Sequence, residues 1–313
     1  MRVLAIDLGG SHATCALVED RSILDRRTLE FQDSRNLAPL LGQIAVLLRE
    51  LIPQNGPPIT GLGLGFCGQV DARNCRVSST NGKFVDAPLL DLRQWAHSEF
   101  GLPLRLENDA RLALLGECYS GAAQGETDVV MFTLGTGIGG VAMMGGALLH
   151  GKHGQAGVLG GHVTVALHGR TCTCGALGCA ESEASGWALP LICAEWPHFS
   201  ASAFAAKEIN FENLFACADN GDPVAREILD HCLRVWAAAA ITAIHSFDPD
   251  VLVYGGGVMK RADVVIPFLQ SYVARYAWTP WGKVQVRPAQ LGNDAGLIGV
   301  LPLFHQKEND LVR

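Results

Sequence analysis

The sequence predicts an α/β protein built as two related halves with a cleft between them. Three observations predict it. The 313 residues suffice for two domains of about 100–200 residues each, or for one large α/β unit. Short apolar runs that read as strands alternate with longer stretches of helical apolar spacing, the pattern of a mostly parallel sheet. A strand, glycine turn and returning strand occur twice, at Val3 to Val18 and again from Val129 onward.

The elements follow in order. Val3-Leu4-Ala5-Ile6 is apolar and ends at Asp7; Leu8-Gly9-Gly10-Ser11 and a second run, Ala13 to Val18, come next. This reads as a hairpin on a glycine turn. Leu37 to Ile52 has helical spacing and stops before Pro53. Ile59 to Phe66 is a strand flanked by Pro57-Pro58 and Gly68. Leu104-Arg105-Leu106 is a short strand entering Glu107-Asn108-Asp109, with a helix over Ala110 to Tyr119. Val129 to Leu134 is a strand ending in Gly135-Thr136-Gly137-Ile138-Gly139-Gly140, and an apolar run returns from it. Asp222-Pro223 pairs an N-cap acid with proline at the first helical position, so a helix starts there and runs to about Phe247. Val251 to Tyr254 is a strand ending in Gly255-Gly256-Gly257, and Asn293 to Phe304 reads as a closing helix.

Composition narrows the function. Hydrophobic residues at 49% and charged residues at 18% exclude general disorder. A net charge of -7 argues against non-specific binding to nucleic acid or a membrane surface. Met1 to Ile6 runs straight into an acidic glycine turn with no targeting signal, so a cytoplasmic protein is expected. Val129 to Leu149 is uncharged and long enough to span a bilayer, but its glycines fit two strands better. Ten cysteines in such a chain read as reduced thiols or metal ligands rather than a disulfide framework.

Three constellations carry chemistry. Glycine lets backbone N–H groups approach a polyphosphate, so Asp7-Leu8-Gly9-Gly10-Ser11 and Gly135-Thr136-Gly137-Ile138-Gly139-Gly140 read as phosphate turns, with Gly255-Gly256-Gly257 a third. Ser11 and Thr136 add hydroxyls, and Asp7 can hold a divalent cation through water. The rival reading is a tight hairpin that needs positive φ. His162, Cys172, Cys174 and Cys179 supply three thiolates and an imidazole, a closed tetrahedral set for structural Zn²⁺; free thiols are the alternative. Glu107-Asn108-Asp109, at a strand end before a helix, offers either a carboxylate base or a helix N-cap; the tripeptide alone favours the cap.

Together these residues resemble the ROK family of repressors, uncharacterised proteins and sugar kinases. The most specific piece is Gly161-His162 followed by Cys172-Thr173-Cys174-Gly175-Ala176-Leu177-Gly178-Cys179-Ala180-Glu181 and Ser185. The resemblance runs from Leu4 to the closing helix. It implies two actin-like (ribonuclease H-like) α/β domains around an interdomain cleft with a zinc-binding loop. The expected small domain is 1–112 plus 293–313, and the large one 113–292, with the zinc loop at 162–179. It also implies an ATP-dependent sugar kinase acting on a hexose hydroxyl, on C6, with glucose or a related hexose as substrate. By the same resemblance Asp109 is the base, and Asn81, Asn108, His162 and Glu181 touch the sugar. Asp7, Gly9, Gly10 and Ser11 match the first phosphate motif, Gly135, Thr136, Gly137 and Gly139 the second, and Gly255, Gly256 and Gly257 the segment near the nucleoside. His162, Cys172, Cys174 and Cys179 match the zinc ligands. ATP, Mg²⁺ and structural Zn²⁺ are the implied cofactors, and a homodimer the implied assembly.

The sequence departs from the family pattern in places. Ala156-Gly157-Val158-Leu159-Gly160-Gly161-His162 has one extra residue and lacks the Glu that binds the sugar in family kinases. Cys67 replaces a Pro, and Arg111 stands where many members have Asn. The rival from another class is a non-catalytic sugar-sensing regulator. Family repressors carry a helix-turn-helix, and the strand starting at Val3 leaves no room for one. An ATPase without a sugar is the other rival, and the set Asn108, Asp109, His162 and Glu181 argues against it.

Overall fold

The computed structural model describes residues 1–32, 35–80, 82–158 and 160–305. They form two compact units. Unit 1 comprises Met1–Thr127, Gly145–Ala156 and the segment returning at Gln290; unit 2 comprises Asp128–Met144 and Gly157–Ala289.

Unit 1 holds a five-stranded sheet of β1 (Arg2–Leu8), β2 (His12–Glu19), β3 (Ser22–Glu30), β4 (Ile59–Phe66) and β7 (Leu104–Asn108), in the order β3-β2-β1-β4-β7. The short strands β5 (Gln69–Asp71) and β6 (Arg76–Ser79) pair with each other. β1 pairs antiparallel with β2 and parallel with β4, so the sheet is mixed rather than mostly parallel. The glycine turn sends the chain straight back on itself, which only an antiparallel neighbour allows. β1 is buried along nearly its whole length, which explains its unbroken apolar run. Helix α1 (Ala38–Leu51) turns Leu40, Leu41, Ile44, Ala45, Leu48 and Leu51 into the same core as Leu4, Ile6, Leu62 and Leu64. Burying each such leucine contributes about 1.5–3 kcal/mol. Asp91 caps α2 (Leu92–Phe100), which ends at Gly101 in the left-handed region.

The expected domain boundary at 112/113 falls inside α3 (Asp109–Ser120), a continuous hydrogen-bonded helix. The observed division lies beyond it. Residues 145–156 also belong to unit 1, because Arg111 donates to the carbonyls of Leu149, Gly154 and Ala156. Fully buried Glu117, on α3, accepts from the amides of Gln290 and Leu291 and clips the returning segment to the same helix. The expected closing helix is broken into Ala295–Ile298 and Val300–His305. Pro302 has no N–H for the carbonyl of Ile298, so one continuous helix would lack that bond. Backbones meet closely here: a Cβ on Gly299 would lie 1.9 Å from the Leu112 carbonyl oxygen, and one on Gly116 2.1 Å from that of Ala295.

In unit 2, β8 (Val129–Leu134) lies between antiparallel β9 (Ile138–Met144) and the parallel strand Val251–Gly255, which pairs in turn with Gln285–Pro288. The uncharged stretch 129–144 is therefore a hairpin. Helix Pro223–Phe247 packs Ile228, Leu229, Cys232, Leu233 and Trp236 inward, and Asp222 caps it through the Ala225 amide at 3.0 Å. Among the described residues no helix is long and apolar enough to cross a membrane.

Candidate active site

The parallel strands of unit 1 bring its acidic residues to one sheet edge. In register Asp7 lies opposite Gly65, Gly65 opposite Glu107, and Phe66 opposite Asn108. The carboxyl ends of parallel strands are where open α/β sheets bind ligands. At this edge the cap and the base separate onto two residues. Asn108 is the N-cap of α3: its Oδ1 accepts from the Arg111 amide at 3.2 Å. Its Nδ2 donates to the Gly68 carbonyl and to Asp109 Oδ1 at 2.9 Å. Asp109 Oδ1 also accepts from the Ala110 amide at 2.8 Å, and among the described residues Oδ2 has no hydrogen-bond partner. Burial pushes the Asp109 carboxyl up to about 6, with the charge of Asp7 adding to the rise. That places it close to the range where a general base works best at neutral pH. Burial raises Asp7 as well, against the pull of His12.

Beneath this corner lies a buried ion pair. Glu107 Oε1 accepts from the Asn108 amide at 2.8 Å and lies 3.4 Å from Arg111 Nη1; its Oε2 meets His150 Nε2 at 2.7 Å. Glu107 is 0% and Arg111 1% exposed. Arg111, a departure from the family pattern, thus braces the strand end and the 149–156 loop together. Cys67, the other departure, stays a thiol: burial first, then Asp109 and Asp7, push it up to about 11.

The glycine turns do not need the positive φ of the rival reading. Gly9, Gly10, Gly135, Gly137 and Gly139 are absent from the left-handed region, whereas Gly256 has φ 90°. Space explains several of them. A Cβ on Gly137 would lie 2.8 Å from Glu181 Oε2, and one on Gly139 2.4 Å from Thr133 Oγ1. Gly135 and Gly257 have nothing within 4 Å, so neither strain nor crowding in the protein accounts for them. Their backbones are open to approach from outside. In the first turn the Gly9 amide donates to the His12 carbonyl, while the Gly10 and Ser11 amides have no acceptor among the described residues.

The second turn rests on a brace. Glu181 Oε2 accepts from the Ile138 amide at 2.9 Å, and Oε1 from Trp187 Nε1 at 3.1 Å. The amides of Gly186 and Trp187 donate to the carbonyls of Gly135 and Thr136. Glu181 sits on helix Ala180–Ala184, which begins next to Cys179.

Cys179 belongs to a compact donor set. The ligand atoms of His162, Cys172, Cys174 and Cys179 all lie within 4.8 Å of one another. Cys172 Sγ is 3.4 Å from His162 Nδ1, and Cys174 Sγ is 3.7 Å from Cys179 Sγ. Zinc–sulfur bonds of about 2.3 Å give tetrahedral edges of about 3.8 Å, so the residues fit the metal. The Ala176 amide lowers the Cys174 thiol, while burial first pushes the Cys179 thiol up to about 12. Gly178 is obligatory in this loop: its φ is 66°, and a Cβ would lie 1.6 Å from the Ala166 carbonyl oxygen. All ten cysteines are free of disulfides; the others are buried apart from half-buried Cys67 and Cys118.

The strand Val251–Gly255 ends at Gly256, where a Cβ would lie 2.3 Å from the Leu134 carbonyl oxygen. Gly257 then enters a cavity of about 330 Å³ lined by Phe211, Phe215, Val258 and Arg261. The Arg261 guanidinium lies 4.9 Å from the Phe215 ring centre. This slot has an apolar floor beside a backbone turn, the form that suits a heteroaromatic base.

The residues expected to act are thus distributed as follows. Unit 1 gathers Asp7, Gly9, Gly10, Ser11, Asn108 and Asp109 at one edge. Unit 2 gathers Gly135, Thr136, Gly137, Gly139 and Glu181 around one turn, with His162 in the metal set and Gly255, Gly256 and Gly257 at the cavity. Asn81 and Leu159 lie outside the described residues. Sequence reasoning missed Glu107, His150, Phe215 and Arg261. Only the run Glu107-Asn108-Asp109 carried a signal, and it pointed at its neighbours.

Comparison with known proteins agrees with this geometry. The chain is 30% identical to the glucokinase of Thermotoga maritima over 317 residues, 98% of each chain. The structure of a ROK family glucokinase from Streptomyces griseus, in complex with glucose and AMPPNP, matches with a TM-score of 0.75 at 29% identity, over 97% of this chain and 99% of that one. A ROK hexokinase from Thermus thermophilus matches at 0.79 and 28%, over 98% and 100%. The family model described as the ROK family matches residues 3–307, nearly the entire chain, and with the mixed α/β units and the Cys/His set this makes the protein a member of the ROK family.

Proposed function

We propose that this ATP-dependent kinase of the hexokinase type phosphorylates the C6 hydroxyl of glucose or a related hexose, with Asp109 as general base. One observation carries the reading: Asp109 is held by one oxygen, with the other unpartnered among the described residues and its carboxyl pushed up to about 6. In this reading Oδ2 takes the proton of the attacking hydroxyl, and Asn108 fixes the orientation of the carboxylate. The amides of Gly10 and Ser11 bind phosphate oxygens, as do the amides of the second glycine turn with the Thr136 hydroxyl. The cavity at Gly257 takes the nucleoside. Asp7 would hold Mg²⁺, which would supply positive charge to offset that of the transferred group. His162 keeps Nδ1 for zinc and turns its other nitrogen to a sugar hydroxyl. Glu181 and Asn81 complete the sugar contacts. His162, Cys172, Cys174 and Cys179 would hold Zn²⁺, which would tie down the loop before Glu181. Catalysis is then mainly positioning and electrostatics.

The test is ADP release from Mg·ATP across hexoses and N-acyl hexosamines. A strong signal with one sugar is expected and names the substrate. Silence across the panel, with the protein folded and zinc-loaded, overturns the kinase reading in favour of a sugar sensor. The family likeness also leads us to propose a cytoplasmic homodimer; a monomer in sedimentation would refute the assembly.

A further inference from the structure

We propose that Lys83 is a catalytic residue of this reaction, its ammonium binding the transferred phosphoryl group over the first glycine turn. The proposal rests on the kinase reading above. Lys83 Nζ donates to the Gly10 carbonyl at 2.7 Å, across 73 residues of sequence. A Cβ on Gly10 would lie 2.6 Å from that nitrogen, so the ammonium rests directly against the turn. The turn follows β1, which carries Asp7 in register with Gly65, and Gly65 lies opposite Glu107 on the strand that leads into Asp109. The cation, the base and the free amides of Gly10 and Ser11 therefore belong to one corner of unit 1. The Lys83 side chain is exposed and makes no other hydrogen bond among the described residues, so two of its N–H groups remain for a ligand.

In the step itself the sugar O–H bond gives its proton to Asp109, and the oxygen forms a bond to the terminal phosphorus of ATP. The bond from phosphorus to the ADP oxygen breaks, and ADP leaves with the electron pair. Lys83 stays protonated and offsets the negative charge on the moving phosphoryl oxygens, an effect that grows as the transition state is reached.

The experiment compares wild type, Lys83→Met, Lys83→Arg and Asp109→Asn with Mg·ATP and the preferred hexose. Lys83→Met is expected to lower kcat about 10²-fold, the cost of removing one transition-state donor, with Tm and calorimetric sugar affinity unchanged. Lys83→Arg keeps the charge and is expected to stay within about tenfold of wild type. Wild-type kcat in Lys83→Met overturns the proposal, as does a loss that tracks a fall in Tm or in sugar affinity. A wild type that turns over no sugar removes the kinase reading and this proposal with it; an active wild type with an unaffected Lys83→Met removes this proposal alone.

Discussion

Asp109 in unit 1 and Glu181 in unit 2 are both carboxylates at the glycine-bearing end of a sheet, yet they are held in opposite ways. Asp109 has both its hydrogen bonds on one oxygen; Glu181 has one on each. The first is left with a basic oxygen and a raised pKa. The second has both oxygens engaged within the protein, one by the Ile138 amide and the other by the Trp187 ring. Residue type alone does not distinguish the two carboxylates; the count of donors on each oxygen does.

The hardest test of this contrast is turnover. Asp109→Asn should keep the fold and lower kcat by about 10²–10⁴-fold, the usual worth of a general base. Wild-type turnover in that variant would break the comparison at once. Next comes the metal. Purified protein should carry about one zinc, and Cys174→Ser should lose it. Because Cys179 directly precedes the helix bearing Glu181, that variant should also raise KM for ATP through a loosened second turn. Metal analysis with ATP kinetics checks both; full zinc in the variant removes Cys174 from the set.

The pH dependence sharpens the contrast further. With the Asp109 carboxyl at about 6, kcat/KM should fall roughly tenfold per pH unit below that value. Stability follows the opposite sign. The folded value lies above the ordinary 3.8, so the protonated form is favoured by folding; that contribution is complete below pH 3.8 and is lost as pH rises through about 6. Asp109→Asn should therefore be more stable than wild type at pH 8, with a ceiling of ~3 kcal/mol, and the gap should close toward pH 4. Denaturant melts at the two pH values decide it. The smallest effect belongs to Glu181→Gln, which keeps an acceptor for only one of the two donors. It should cost about 1–3 kcal/mol of stability and raise KM for both ATP and the sugar, while kcat falls far less than in Asp109→Asn.

Much of this was legible in the residues themselves. The two hairpins stood out because buried strands are apolar runs and their turns are glycine-rich. The zinc set stood out because ligand spacing is local. Strand β3 escaped notice because it is an edge strand with Asp25, Arg26 and Arg27 in solvent, so it lacks an apolar period. The break in the closing helix was written in Pro302, inside an otherwise helical pattern. Arg111 looked like a substitution in a binding motif and proved to be the brace of a distant loop. Lys83 carried no local signal, since its meaning comes from Gly10, far away in the chain.

The return of the chain at Gln290 has a consequence for synthesis on the ribosome. Every residue of unit 2 is translated before Gln290, whereas unit 1 starts first and closes last. Until Gln290 and Leu291 emerge, the buried carboxylate of Glu117 lacks two of its donors, and Gly116 on α3 has no partner backbone against it. The order in which the two units become complete thus inverts the order in which they begin: every residue of the inserted unit is available while the opening sheet still lacks its last helices. A chain stopped at residue 289 would hold a complete unit 2 beside an unsealed unit 1, with its acidic corner built on an open core.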